Sequence, residues 1–228
     1  MSAISEPAPA PFEGFGPHSL AFYRGLEADN SKAYWLAHKK LYDVEVAGPL
    51  RALAEELAPR FGEPKVFRPY RDIRFSPDKT PYKEHASFGF FSHGTGGLYF
   101  QYEPSGMLLA GGLYDPARDQ LERFRDLQDD PKATASLDAL LAELDAAGFP
   151  LGDGAPLKTA PRGRDQDHPR IHLLRRTMLT VSRTFDPAPW FFERQLLDRV
   201  AAGFETIGRW NTWLAEHVGP SEKPLRAW

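Results

Sequence analysis

The sequence predicts an α+β fold in which an antiparallel sheet of about four strands packs with N-terminal and C-terminal helices. Two observations carry that prediction. Apolar residues recur at helical spacing over residues 17–61 and again after residues 131 and 187, whereas residues 87–114 break into short aromatic or aliphatic runs separated by turn formers.

Taken in order, Leu20, Tyr23 and Leu26 mark one helical face, and Asp29-Asn30-Ser31 offers capping side chains for a second helix carrying Tyr34, Trp35, His38, Leu41 and Tyr42. Gly48-Pro49 breaks or kinks that run, and Leu50, Leu53 and Leu57 continue it toward Pro59. FRPYRDIRF reads as a first strand, with Pro69 confining it to an edge, a strand start or a bulge. SFGFF, GLYFQYE and MLLAGGLY then read as a meander with turns at HGTGG and EPSG. Asp115-Pro116, Asp130-Pro131 and Asp186-Pro187 each place a capping carboxylate before a proline suited to the first helical position, so each is expected to open a helix. The helix from Pro131 carries Leu137, Leu140, Leu141 and Leu144 and stops near Gly148; the helix from Pro187 carries Trp190, Phe191, Leu196, Leu197, Val200 and Phe204.

A length of 228 residues is compatible with one core, and the expected organisation is a flexible tail over residues 1–11 followed by a single domain over 12–228. No apolar run approaches the roughly 18 residues of a bilayer span, so no membrane partner is expected. The absence of cysteine removes disulfides, thiolate metal ligands and cysteine nucleophiles. With no export signal visible at the N-terminus, a cytoplasmic location is expected.

Charge is segregated along the chain. Residues 65–85 hold six Lys/Arg against three Asp/Glu, and residues 158–176 hold six against two, while the remainder is strongly acidic and the total is −3. In the first segment, Arg68, Asp72 and Arg74 fall on one face of the expected strand and Arg71 on the other, with Asp78, Lys79 and Lys83 in or just beyond a proline-restrained loop where Ser76 or Asp78 holds a turn. Arginine forks and mobile lysines suit a phosphate or carboxylate. The competing reading ties Arg71, Asp72, Arg74 and Asp78 into an internal ion-pair network. In the second segment, Arg162, Arg164, Asp167, His168 and Arg170 surround Gly163. They supply donors, an acceptor and an imidazole, which makes Asp167 and His168 the candidate acid/base pair. A short helix from Pro169 would add N-terminal amides to an anion site. The His168/His172 spacing fits two metal ligands, but the flanking arginines oppose a cation, so no metal is expected. No cofactor is implied.

FEGFGPHSLAFYRGLEADNSKAYWLAHKKLYD, FRPYRDIRFSPDKTPYKEHA and LKTAPRGRDQDHPRIHLLRR, in that order, resemble the bacterial and fungal domain of unknown function 2461 over nearly the whole chain. Arg71, Asp72, Arg74, Phe75, Asp78, Lys79, Thr80, Pro81, Tyr82 and Lys83 carry the central motif. Ala28-Asp29-Asn30 departs from the paired asparagines usual there, which bears on that cap. The resemblance implies one domain and supplies no reaction, cofactor or catalytic residue.

Three functions compete on these residues: a protein, enzymatic or not, that holds a small anionic ligand where both basic segments converge; a nucleic-acid-binding module using Phe88, Phe90, Phe91, Tyr99, Phe100 and Tyr102 as a stacking surface; and an interaction protein whose arginines are structural ties.

Overall fold

The computed structural model of the chain describes residues 10–72, 74, 77–92 and 96–222. Helices α1 (Ser19–Ala28), α2 (Lys32–Tyr42) and α3 (Gly48–Phe61) come first, then strands β1 (Pro64–Val66), β2 (Ala86–Ser92), β3 (Gly96–Glu103) and β4 (Gly106–Leu113). Helices α4 (Arg118–Asp126), α5 (Pro131–Ala146) and the single turn α6 (Ile171–Leu174) precede β5 (Leu179–Phe185) and the long α7 (Gln195–His217). The five strands form one antiparallel sheet in the order β1-β2-β3-β4-β5, so the fold is α+β with a meander at its centre. The chain falls into two compact units: Met1–Gly89, Gln101–Met107 and Asp186–Ala201 in the first, Phe90–Phe100, Leu108–Phe185 and Ala202–Trp228 in the second.

In the first unit, α1 buries Leu20, Tyr23 and Leu26, as its spacing requires. Ser31 caps α2, its side chain accepting from Tyr34 N at 3.1 Å. One π-helical turn, Asp43–Ala47, leads from α2 into α3, and Pro49 sits in the first turn of α3, where its missing N–H costs nothing. Helix α3 continues through Pro59 to Phe61. Phe12 is fully buried, its N–H donates to Glu56 Oε1 at 2.5 Å, and Arg194 joins Glu56 at 2.7 Å while donating to Phe12 O at 2.6 Å. Most of the expected tail lies outside the described residues.

The first strand is not where FRPYRDIRF was expected. It is the three residues Pro64–Val66, and beyond it only an isolated bridge joins Tyr70 to Tyr82. The prolines explain this. Arg71 N donates to Pro81 O at 2.9 Å and Lys83 N to Pro69 O at 2.7 Å, but the return bonds would need N–H groups that Pro69 and Pro81 lack. The ladder therefore stops after one pair, and the two-faced arrangement expected for Arg68 to Arg74 does not form. Ile73, Phe75 and Ser76, including the turn expected at Ser76, lie outside the described residues, as does most of the HGTGG turn.

In the second unit, Phe90, Phe100, Leu109, Phe124, Leu137, Leu144, Val181, Phe204 and Trp210 are buried. Asp130 caps α5, accepting from Lys132 N at 2.8 Å. The other two Asp-Pro pairs do not start helices. Ala117, not Asp115, precedes α4, and its N–H is met by the Gln120 side chain at 3.0 Å. Asp186-Pro187 is followed by Ala188, which the next proline holds extended (φ −143°, ψ 154°), then by a 3-10 turn at Pro189–Phe192. Helix α7 consequently opens only at Gln195.

Strand β5 raises the strand number from the expected four to five. Its buried alternation, Leu179 and Val181, was visible in LTVSRTF but lay between two helix expectations. Residues 150–152 pair irregularly with it, Gly152 N donating to Thr180 O at 2.8 Å. Where β4 ends, Gly112 (φ +118°) is obligatory, because a Cβ there would come within 2.1 Å of Leu179 O.

Strands β2, β3 and β4 and helix α7 each pass from one unit into the other without a linker. Thermal unfolding followed by calorimetry is expected to give one transition; two resolved transitions would show separate domains. Asp130→Ala removes the α5 cap and is expected to cost about 1 kcal/mol in urea denaturation.

Candidate functional site

In the first unit, the Tyr70/Tyr82 bridge joins the two ends of the central basic motif and forms the base of its loop. Asn30, from the turn between α1 and α2, grips that base: its Oδ1 accepts from Tyr82 N at 3.1 Å, and its Nδ2 donates to Tyr82 O at 3.0 Å and to Glu84 Oε1 at 2.9 Å. Trp35 of α2 stacks on the Tyr82 ring with centroids 4.3 Å apart. Asn30 was expected to cap a helix; Ser31 alone does so, and Asn30 holds the motif instead.

Within the loop, carboxylates take up two of the arginines. Asp72 receives Arg74 in a two-pronged contact, Nε to Oδ1 at 2.9 Å and Nη2 to Oδ2 at 2.6 Å, which holds the Asp72 carboxyl down at about 2. Asp78 accepts from Thr80 N at 2.9 Å and Thr80 Oγ1 at 2.8 Å and pairs with Arg71, and these bonds, the Thr80 amide first, lower its pKa. The second Nη of Arg71 lies 3.9 Å from Glu84. Lys79 is exposed on the same loop.

Arg68 and Lys83 are placed differently. Neither has a carboxylate partner among the described residues. The Lys83 ammonium sits 5.2 Å above the Phe67 ring, and burial, then the Arg68 and Arg71 charges, push its pKa below the usual lysine value. His85 is lowered as well, by burial first and then by Lys83. Arg68 also lines a cleft of about 400 Å³ between α2, α3 and residues 66–70, together with Arg51, Tyr42, Phe67, Tyr70 and the Lys39–Asp43 ion pair. Arg51 has no carboxylate partner among the described residues either, and its charge acts on the Tyr42 phenol. Arg51 and His85 escaped the sequence reading because Arg51 stands on a helix surface 17 positions before Arg68 and His85 ends the basic segment without a motif of its own.

The second basic segment belongs to the second unit. Arg164 pairs with Asp126 and, at 3.3 Å, with Asp129. Arg170 grips Asp138 through two bonds of 2.8 and 2.7 Å and reaches Gln128 Oε1 at 2.9 Å. His168 meets Asp129, not Asp167: its Nδ1 accepts from Arg170 N at 3.0 Å, so in the neutral ring Nε2 carries the proton and donates to Asp129 Oδ1 at 3.0 Å. Both ring nitrogens are thus engaged. Asp167 is exposed, its N–H held by Asp165 Oδ1 at 2.9 Å, and Arg162 is exposed. Gly163 has φ +80° with open space around it, so it serves the turn rather than a close approach. The helix expected from Pro169 is the single turn Ile171–Leu174, too short to aim a row of amides at an anion. Asp126, Asp129 and Asp138, which hold these cations, follow no motif; only the fold makes them neighbours.

Of the aromatic residues considered for base stacking, Phe88, Phe90, Phe100 and Tyr102 are buried, Tyr99 is partly exposed and Phe91 is half exposed. Among the described residues, no group of three or more metal-ligating side chains occurs, and no helix is long and apolar enough to cross a membrane.

Fold and site together define an α+β protein built around an antiparallel meander, with a cationic cleft and loop in one unit and an ion-paired loop in the other. The chain belongs to the conserved hypothetical protein family DUF2461, whose family model matches residues 18–213. Neither the curated proteins nor the solved structures provide a match.

Arg170→Leu is expected to lower stability by about 0.5–1 kcal/mol near neutral pH, read from urea unfolding. Asp138, held low mainly by its bond to Arg170, contributes above the ordinary carboxylate range, and that contribution is lost as pH falls through its lowered value. The difference between Arg170→Leu and the parent should therefore shrink on acidification.

Proposed function

We propose that the chain holds a small anionic ligand, a phosphate or carboxylate compound, at the cleft of the first unit, with Arg68 and Arg51 as the grip. The observation that carries this reading is the unequal use of cations. Arg71 and Arg74 are taken up by Asp78 and Asp72, whereas Arg68 and Arg51 line one cleft without a salt-bridge partner among the described residues, the cleft's Asp43 being paired with Lys39. An anion would supply the opposite charge to these two guanidinium groups. Tyr70, 47% exposed at the same cleft, offers a ring face to a flat ligand.

The arginines of the second unit favour a structural role. Arg164 and Arg170 each meet carboxylates, and His168 is held at both nitrogens, so we assign that loop to bracing rather than to ligand binding.

Thermal shift with inorganic phosphate, small dicarboxylates and mononucleotides tests the proposal. A ligand at ten times its Kd adds about 1.4 kcal/mol, or roughly 3–6 °C in a chain of this size. The shift should vanish in Arg68→Ser and persist in Arg162→Ser. A shift lost only in Arg162→Ser would move the site to the second unit, and no shift with any anion would remove the proposal.

A further inference from the structure

We propose that the ligand of this cleft is a planar aromatic acid, its ring lying on Tyr70 and its carboxylate or phosphate met by Arg51, Arg68 and the Tyr42 hydroxyl. This rests on the anion-site reading and names the ligand class. The cleft, at about 400 Å³, falls at the lower end of the roughly 300–1,000 Å³ usual for sites that enclose one small molecule. Of the aromatic rings that line it, Trp35 and Tyr42 are buried and pack on each other with centroids 4.8 Å apart. Phe67 carries the ammonium groups of Lys65 and Lys83, 5.5 and 5.2 Å from its ring centre. Tyr70 rests against Trp35 at 5.9 Å and is still almost half exposed. Val66, another large apolar side chain left exposed, lines the same cleft. Tyr70 is therefore the ring on which a flat apolar group can lie.

The polar side chains of the cleft are donors. The Tyr42 hydroxyl makes no hydrogen bond among the described residues, and it is not sealed into the core as the unpartnered Tyr23 hydroxyl is. Burial raises the Tyr42 pKa to about 12 against the opposing pull of Arg51, so near neutrality the phenol keeps its proton and donates it in a hydrogen bond. Arg51 and Arg68 add two guanidinium forks, and the cleft's carboxylate, Asp43, is paired with Lys39. No amide, serine, threonine or histidine side chain lines the cleft. The donors of a sugar or a nucleobase would meet only phenol oxygens there. An ionised acid on an aromatic ring presents acceptors and an apolar face, which is what these side chains complement.

Matched ligands test this. The full chain is titrated with phenyl phosphate and benzoate, each set against its saturated counterpart, cyclohexyl phosphate or cyclohexanecarboxylate, and Kd is taken from the dependence of the melting temperature on ligand concentration. At least one aryl compound, whose head group then names the anion, is expected to bind about fivefold more tightly than its saturated counterpart. Tyr70→Leu should erase that preference while the anion still binds. Tyr42→Phe, which removes only the hydroxyl, should weaken the aryl compound about tenfold while the unliganded chain keeps the parent melting temperature. Equal binding of aryl and saturated compounds overturns the inference and leaves the anion site standing. No shift with any anion, inorganic phosphate included, overturns both. A preference that survives Tyr70→Leu overturns the ring contact, and undiminished binding by Tyr42→Phe overturns the hydroxyl contact.

Discussion

Tyr82 is held on its backbone by Asn30 and on its ring by Trp35, and the rest of the candidate site hangs from that hold. The Asn30 amide satisfies both polar groups of one residue at a place where a strand would normally do so. Each such bond contributes about 0.5–1.5 kcal/mol, and the stacked rings add a comparable amount. Because Pro69 and Pro81 cannot complete the ladder on either side of the Tyr70/Tyr82 bridge, no sheet pairing competes with this arrangement. Of the cations at the base of the loop, Arg68 is set in the cleft beside α2 and α3.

Two neighbouring sets of cations thus come to differ in role. Inside the loop, Asp72 and Asp78 lie close in sequence to Arg74 and Arg71 and take up their charge, so those pairs shape the loop itself. At the base, Lys83 faces the Phe67 ring and the charges of Arg68 and Arg71. In the second unit, the arginines found carboxylates on α5 and the turn before it, and His168 became part of the same bracing. A concentration of basic residues along the chain therefore resolves into charge paired with carboxylates at Arg71, Arg74, Arg164 and Arg170, and charge without such a partner among the described residues at Arg68 and Lys83.

Much of the architecture was legible because it is local. The α1 stripe, the Ser31 cap, the Asp130 cap and the meander from Ala86 to Leu113 each follow from spacing or from one side chain meeting an amide two or three residues away. The failures were places where a local rule met a stronger neighbour. FRPYRDIRF has strand composition, yet the ladder needed donors on the facing segment, and Pro81 could not give one. Asp186-Pro187 has the form of a helix start, yet the second proline, Pro189, held Ala188 extended. Asp167 stood next to His168 in sequence, yet the ring turned to Asp129.

By itself, then, the sequence determined the α+β class, most helix starts, the basic segments and the exclusion of thiol chemistry, since these depend on composition or on contacts within a turn of chain. Only the tertiary structure decided which cations are neutralised, that Asn30 is a clamp, that Arg51 joins Arg68, and that His168 is engaged at both nitrogens. The physical reason is that charge compensation acts through space over a few ångströms. The distance from Arg170 to Asp138 is one hydrogen bond in the fold and 32 residues along the chain.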